Sequence, residues 1–193
     1  MQKGRKVHGL ACSIFQKEIE LLKQQGKINI PFEYIDSELH MKPLQLKEVL
    51  KSKIKPQCVL CYGKCEPNLD KNTKYHNVIK TEGLNCIEII LGNKLYRKLR
   101  AEGSFFLLPE WTHKWERIFK ELLGLSDIEL ARQFMNEMHT KMIYVNTGIL
   151  PIPHKTLIEI EAFFNIPVKV IDIKLDELEK TINFSIQNLN YEN

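Results

Sequence analysis

Five cysteines are the residues of this chain best suited to chemistry, and three of them fall where predicted strands end or helices begin. Cys12 closes the first predicted strand, Cys65 lies just past the end of the third, and Cys86 begins a helix. Ligands of doubly wound sheets bind outside the carboxyl ends of the strands, so we expect these three side chains at one rim. A helix N-terminus lowers the pKa of a nearby thiol, and soft metals and iron–sulfur clusters require thiolates. The positions therefore predict a thiolate-rich metal site.

Cys58 and Cys61 share one predicted strand and have a plainer interpretation. Cysteine is among the most buried residue types and packs as a small hydrophobe, so we expect Cys58 in the core. Residues three apart in a strand point to opposite faces. A zinc knuckle at this Cys-x-x-Cys would need a turn and a second such pair, which the chain lacks. Cys61 stays open as a fourth ligand, and burial without any metal is the alternative for all five cysteines.

Two polar groups are expected near strand ends. His40 follows the second predicted strand, on the rim of the cysteines. Its imidazole is a candidate acid or base near neutral pH, a candidate fourth ligand, or a surface cap for the helix that Pro43 begins. Asn146, Thr147 and Gly148 form a polar turn at another strand end. Backbone N–H groups in such a turn can bind a cofactor's anionic group, although a plain tight turn is the commoner explanation.

The elements that must position these residues alternate along the chain. Predicted strands span 7–12, 32–35, 58–62, 104–108, 142–145 and 168–173, and predicted helices span 16–25, 86–99, 111–123, 126–140 and 153–164, with others from Pro43 and Asp176. Ser126 and Glu129 predict a capping box for the helix over 126–140. This alternation predicts an α/β fold with a mostly parallel, doubly wound, Rossmann-like sheet and helices on both faces. We expect one domain over 1–193 with one sheet of about five to seven strands, and a small insertion around 64–82.

Composition narrows the classes of function. The net charge of the 193 residues is only +4, with Lys interleaved among Asp and Glu, so no basic stripe for nucleic acid is present. No apolar stretch approaches the roughly 20 residues of a membrane span, and the apolar run after the basic start lacks a cleavage site. A cytoplasmic protein that binds neither nucleic acid nor membranes is expected. In such a compartment, an odd number of cysteines indicates thiols or ligands and not a disulfide framework.

Several short motifs, taken in order and spacing, resemble domain-of-unknown-function family 1638. The matching motifs are Ala11-Cys12, Glu18-Ile19-Glu20, Asp36-x-x-Leu39-His40-x-x-Pro43, Tyr62-Gly63-x-Cys65, Cys86-Ile87, Leu91-Gly92, Pro109-x-Trp111 and Thr147-Gly148. The recurring cysteines of the family match Cys12, Cys65 and Cys86. Two departures lie beside this set: Cys61 stands where a small residue is expected, and residues 66–68 replace a glycine-rich loop.

The resemblance implies a setting for the predicted site. Family members occur mainly in anaerobic archaea and bacteria, and many are encoded near corrinoid-dependent methyltransferases. We therefore expect a protein of anaerobic one-carbon metabolism, with a corrinoid protein or methyltransferase as partner. Its cysteines would hold a 4Fe-4S iron–sulfur cluster, with zinc as the alternative. A second hypothesis is a non-catalytic accessory or partner-binding module with a zinc or redox-sensing thiol site.

Overall fold

The computed structural model describes residues 6–65 and 77–191. The strands in these residues are β1 His8–Cys12, β2 Phe32–Ile35, β3 Cys58–Cys61, β4 Val78–Lys80, β5 Ser104–Leu107, β6 Lys141–Asn146 and β7 Val168–Asp172. The α-helices there are α1 Gln16–Gln24, α2 Pro43–Lys53, α3 Cys86–Leu91, α4 Asn93–Ala101, α5 Pro109–His113, α6 Ile128–Met138, α7 His154–Phe164 and α8 Asp176–Tyr191. Short 3₁₀ turns span Ser13–Phe15 and Ser37–Met41, and a π-helix spans Glu116–Leu122.

The chain divides into two compact units, the first running to Gly92 and resuming at Leu175, the second being Asn93–Lys174. In the first unit all four strands are parallel, in the order β2-β1-β3-β4. The chain leaves β1 for β2 on one side and then returns to β3 on the other, so the order reverses between β1 and β3. Right-handed connections place α1 and α2 on opposite faces of this sheet. This switch point is where open α/β sheets bind ligands.

The second unit contains a parallel sheet in the order β5-β6-β7. Its strands are neighbours in the same order as in the chain, so this sheet has no switch point. The core includes Tyr144 of β6, Phe119 of the π-helix and Phe164 of α7, and the rings of the last two meet edge to face. Arg132 of α6 donates hydrogen bonds to the Ala162 and Phe163 carbonyls, which fixes α6 against the end of α7.

The predicted fold class is confirmed: the chain is an α/β protein with parallel, Rossmann-like sheets. The strands form two sheets, however, where one was expected, because no strand of the first unit pairs with a strand of the second among the described residues. The sequence could not show that there are two sheets, since the apolar pattern of a strand does not indicate which strand it pairs with. The expected insertion around 64–82 falls largely outside the described residues, and β4 forms near its end.

Three predicted helices differ from the structure in their bounds, type or cap, and each difference has a local cause. The helix predicted over 86–99 ends at Leu91, because Gly92 takes a positive φ of 75° and a second helix starts at Asn93. The helix predicted over 111–123 is a short α-helix followed by a π-helix. The helix at 126–140 is capped by Asp127, whose carboxylate accepts from the Leu130 N–H, and not by Ser126. Asp and Ser are equally good caps, so the sequence did not distinguish them.

Candidate thiolate site

The first unit brings three cysteines together at its switch point. Cys12 is the last residue of β1, Cys65 follows β3, and Cys86 is the first residue of α3. The Cys86 thiol forms hydrogen bonds with both Cys12 and Cys65, so it lies in the middle of the three. Cys12 is buried, whereas Cys65 and Cys86 are each partly open to solvent. The structure therefore brings together the three residues that the sequence analysis grouped, and two of these residues are partly exposed.

A close backbone contact sets the position of Cys65 beside Cys86. A Cβ built on Gly63 would lie 2.5 Å from the Asn85 Cα and 2.9 Å from the Leu84 carbonyl oxygen. Just beyond, the Lys64 N–H donates to the same Leu84 carbonyl at 2.8 Å. Asn85 then caps α3 by accepting from the Glu88 N–H, which fixes the helix that Cys86 begins. Only glycine allows this approach, because any side chain would collide with backbone atoms.

His40 reaches the cluster from the neighbouring strand. It lies in the 3₁₀ turn that follows β2, and the Asp36 carboxylate caps this turn by accepting from the Glu38 N–H. The Ser13 hydroxyl oxygen accepts from the Ser37 N–H at 2.9 Å, which ties the turn to the end of β1. The His40 side chain hydrogen bonds to Cys65. The imidazole thus lies beside Cys65, and its role as an acid, a base or a fourth ligand stays a prediction.

Electrostatics separate Cys65 from the other cysteines. The Cys65 pKa is lowered to about 5. The largest cause is the hydrogen bond from Cys86, burial acts in the opposite direction, and the hydrogen bond from His40 and its charge also lower the pKa. The pKa of His40 is raised in turn, mainly by its hydrogen bond to Cys65. At neutral pH Cys65 is therefore a thiolate, and its contact with His40 favours the protonated form of the imidazole. A thiolate, unlike a thiol, is a nucleophile and a metal ligand.

The pKa of Cys86 is not lowered, although its place at a helix N-terminus suggested that it would be. Its pKa is raised well above the ordinary value, first by the hydrogen bonds with Cys12 and Cys65 and then by burial. Cys86 keeps its proton because that proton stabilises a neighbouring sulfur, and this contact outweighs any effect of a helix of only six residues. The low-pKa thiol is Cys65, which lies in a loop.

Cys58 and Cys61 are fully buried. Burial raises the pKa of each to about 12, so both are protonated near neutral pH. Cys61 pairs with Ala11 across the sheet, which puts its side chain on the face opposite to Cys12. The Cys61 thiol hydrogen bonds with Thr81, and the structure does not bring it into hydrogen-bonding contact with Cys65 or Cys86. Its role as a fourth ligand stays a prediction.

Two residues beside the cluster were not singled out from the sequence. Tyr62 is 2% exposed, and its hydroxyl has no hydrogen-bond partner in the part of the chain that the structure describes. The Lys80 ammonium donates to the carbonyls of Tyr62, Thr81 and Gly83, at 3.2 to 3.4 Å, and so holds the ends of β3 and β4 together. Tyr62 could have been noticed from the sequence, because it stands next to the Gly63-x-Cys65 motif. The role of Lys80 depends on the pairing of β3 with β4, which the sequence does not reveal.

The turn at 146–148 lies in the second unit, at the end of β6. The Asn146 amide donates to the Asp172 carboxylate at 2.7 Å, and its oxygen accepts from the Gly148 N–H at 3.1 Å. Gly148 has a φ of 72°, and Thr147 is buried. These contacts form the tight turn that was the commoner explanation for these residues. Binding of a cofactor's anionic group there stays a prediction.

Within residues 6–65 and 77–191, no group of three or more His, Cys, Asp or Glu side chains is arranged to hold a metal ion. The donor types of the cluster nevertheless suit zinc or an iron–sulfur cluster, since they are thiols and an imidazole. The described residues instead form a hydrogen-bonded row. His40 hydrogen bonds to Cys65, Cys65 to Cys86, and Cys86 to Cys12.

Comparison with known proteins identifies the family. Residues 34–182, most of the chain, match the family described as "Protein of unknown function (DUF1638)", and the chain belongs to that family. The match includes His40, Cys65 and Cys86, while Cys12 lies before its first residue. No curated protein and no solved structure matches the chain. Among the described helices, none has the length and apolar character needed to cross a membrane.

The close approach at Gly63 makes a first prediction. Gly63→Ala should lower the free energy of unfolding by about 1–3 kcal/mol, because the added methyl group forces Asn85 away. Chemical denaturation measures this. Gly26→Ala is the control, since a Cβ there meets nothing within 4 Å at a φ of 71°, and it should cost only about 1 kcal/mol. Equal stability of Gly63→Ala and wild type would show that the contact is not tight.

The Cys65–His40 pair predicts a distinctive pH profile. Alkylation of Cys65 by iodoacetamide should accelerate through about pH 5 and then level off, because the thiolate forms there. His40→Gln removes an imidazole whose hydrogen bond and charge lower the Cys65 pKa, so the inflection should move to higher pH. Below neutral pH the rate should fall by about tenfold or more. Mass spectrometry can follow Cys65 alone, because trypsin cuts after Lys64 and leaves it the only cysteine of its peptide.

His154→Gln is the matched control for that experiment. His154 is exposed and begins α7 in the second unit, so its loss should leave the Cys65 profile unchanged. A wild-type inflection near the ordinary thiol value of about 8.5 would contradict the assignment of Cys65 as a thiolate.

Proposed function

We propose that this chain is a thiol-based redox protein in which Cys65 reacts with disulfides and Cys86 resolves the product. The observation that carries the proposal is the pair of contacts at Cys65, which hydrogen bonds to His40 on one side and Cys86 on the other. A low-pKa, solvent-accessible thiol next to a second thiol is the usual arrangement of a redox-active cysteine. This develops the redox-sensing thiol site of the second hypothesis above.

The chemistry balances without any further group. The Cys65 thiolate attacks one sulfur of a disulfide, a new sulfur–sulfur bond forms, and the other sulfur leaves with the electron pair. Cys86 then gives up its proton and attacks the Cys65 sulfur, which expels the second substrate thiol. The substrate disulfide is reduced to two thiols, and the two cysteines are oxidised to one disulfide. His40 favours the Cys65 thiolate before its attack, because the raised pKa of the imidazole favours a cation beside that sulfur.

Burial supports the choice of these two cysteines. Cys65 and Cys86 are partly exposed, whereas Cys58 and Cys61 have no accessible surface. Thiol–disulfide exchange depends on the thiolate fraction and on access. Cys58 and Cys61 lack both, so we expect them to stay reduced while Cys65 turns over.

Oxidised glutathione tests this proposal. The reduced protein should form a Cys65–Cys86 disulfide, seen by peptide mapping without reductant, because Cys86 lies against Cys65. In Cys86→Ser, glutathione should accumulate on Cys65 as a mixed disulfide, since the resolving thiol is missing. Cys58→Ala is the control and should exchange like wild type, because Cys58 is buried in β3. A Cys86→Ser protein that carries no glutathione on Cys65 would refute the proposal.

A metal centre is the second candidate, and the assembly of three cysteines and a histidine from separate segments favours it. Cys12, Cys65 and Cys86, with His40, would hold an iron–sulfur cluster or zinc, and the bound group would supply electron transfer or Lewis-acid chemistry. Uptake would release the protons of the thiols that bind the metal. The donor types support this candidate, whereas their arrangement in a hydrogen-bonded row better supports the redox proposal.

Metal and sulfide content per chain, measured on protein purified without oxygen, tests the second candidate. A cluster should give a brown protein with broad absorbance near ~400 nm, whereas zinc gives a colourless one. Changing Cys12, Cys65 or Cys86 to Ser should remove most of the metal, while Cys58→Ala should keep it. Partial loss in Cys61→Ser would identify a fourth ligand. A metal-free wild type would eliminate this candidate and leave the redox proposal intact.

The physiological setting is part of the same proposal. The family resemblance implies anaerobic one-carbon metabolism, with a corrinoid protein or methyltransferase as partner. A redox-active thiol pair, or a metal centre on the same residues, would serve that system as an accessory protein. The support for this partner is the resemblance, whereas the support for the thiol chemistry is the geometry of the first unit.

A further inference from the structure

The Tyr62 hydroxyl is a buried polar group that makes no hydrogen bond within the described residues. Tyr62 is 2% exposed, and its hydroxyl finds no hydrogen-bond partner among residues 6–65 and 77–191. An unpaired buried hydroxyl costs free energy, because it has given up its hydrogen bonds to water. Phenylalanine would fill the same space without that cost. Such groups in folded proteins call for an explanation, and a ligand or catalytic role is one of the few.

Its surroundings place Tyr62 at the cysteine cluster. Cys61 pairs with Ala11, so the next residue, Tyr62, continues β3 alongside Cys12. Burial is the main cause that raises the Tyr62 pKa, and electrostatic interactions with Cys12, Cys86, Cys65 and Cys61, in that order, raise it further when these thiols are ionised. The residue after it, Gly63, lies against Asn85, the neighbour of Cys86. The phenol is therefore a proton-bearing donor within electrostatic range of the reactive sulfurs.

Resting on the proposed disulfide exchange, we infer that the Tyr62 hydroxyl donates a hydrogen bond to the sulfur that leaves when Cys65 attacks. In that step the Cys65 sulfur bonds to one substrate sulfur, and the substrate sulfur–sulfur bond breaks. The electron pair goes to the departing sulfur, whose negative charge the O–H stabilises. The help matters most when the departing thiolate is basic, because a basic thiolate leaves slowly. Tyr62 thus adapts the site to dialkyl disulfides.

Tyr62→Phe separates this role from a structural one, because two disulfides differ in their leaving groups. With oxidised glutathione, whose thiolate is basic, the rate of attack by Cys65 should fall about tenfold. With the aromatic disulfide dithiobis(nitrobenzoic acid), whose thiolate leaves readily, the rate should stay within about twofold of wild type. The variant should unfold at the same denaturant concentration as wild type or a higher one, since it removes only an unpaired hydroxyl.

Tyr144→Phe is the matched control, because Tyr144 is equally buried but lies in β6 of the second unit. It should change neither rate. An unchanged glutathione rate in Tyr62→Phe, or an equal loss with both disulfides, would overturn the inference about Tyr62 while the reactivity of Cys65 stands. If wild-type Cys65 reacts with neither disulfide, the redox proposal and this inference fail together.

Discussion

The close approach of two backbone segments, at Gly63 and Asn85, is the constraint on which the cysteine cluster depends. With 2.5 Å between a Cβ at residue 63 and the Asn85 Cα, no other residue type fits there without displacing the chain. The Lys64 hydrogen bond to Leu84 and the Lys80 ammonium lock the same region from either side. Because Cys65 and Cys86 lie just beyond this contact, their hydrogen bond follows from it.

Four of the five cysteines carry the same thiol group but fall into three kinds of protonation behaviour, and their neighbours account for the differences. Cys65 is a thiolate because the Cys86 thiol and the His40 side chain both hydrogen bond to it. Cys86 holds its proton because it is one of those donors. Cys58 and Cys61 hold theirs because burial penalises a charged sulfur. Reactivity is therefore concentrated on one sulfur, although the site contains several.

Thiol redox chemistry and metal binding draw on the same physical property of this site. Both need sulfurs from separate segments at short range, and both use the thiolate form. They differ in what holds the sulfurs together, which is a shared proton in one case and a cation in the other. A hydrogen-bonded row with Cys86 between Cys12 and Cys65 is the arrangement expected where sulfurs share protons. A metal site would instead have its donor atoms arranged around one central point.

The sequence by itself determined the α/β class, most strand positions and the family, and it predicted the grouping of Cys12, Cys65, Cys86 and His40. It could do so because apolar runs bounded by turn residues mark parallel strands, and the carboxyl ends of such strands share one edge. Only the tertiary structure decided that the strands form two sheets, that Cys65 and not Cys86 bears the charge, and that a buried tyrosine stands beside them. Sheet pairing, pKa values and unpaired hydroxyls depend on which atoms meet across the fold, and periodicity along the chain carries no record of those contacts.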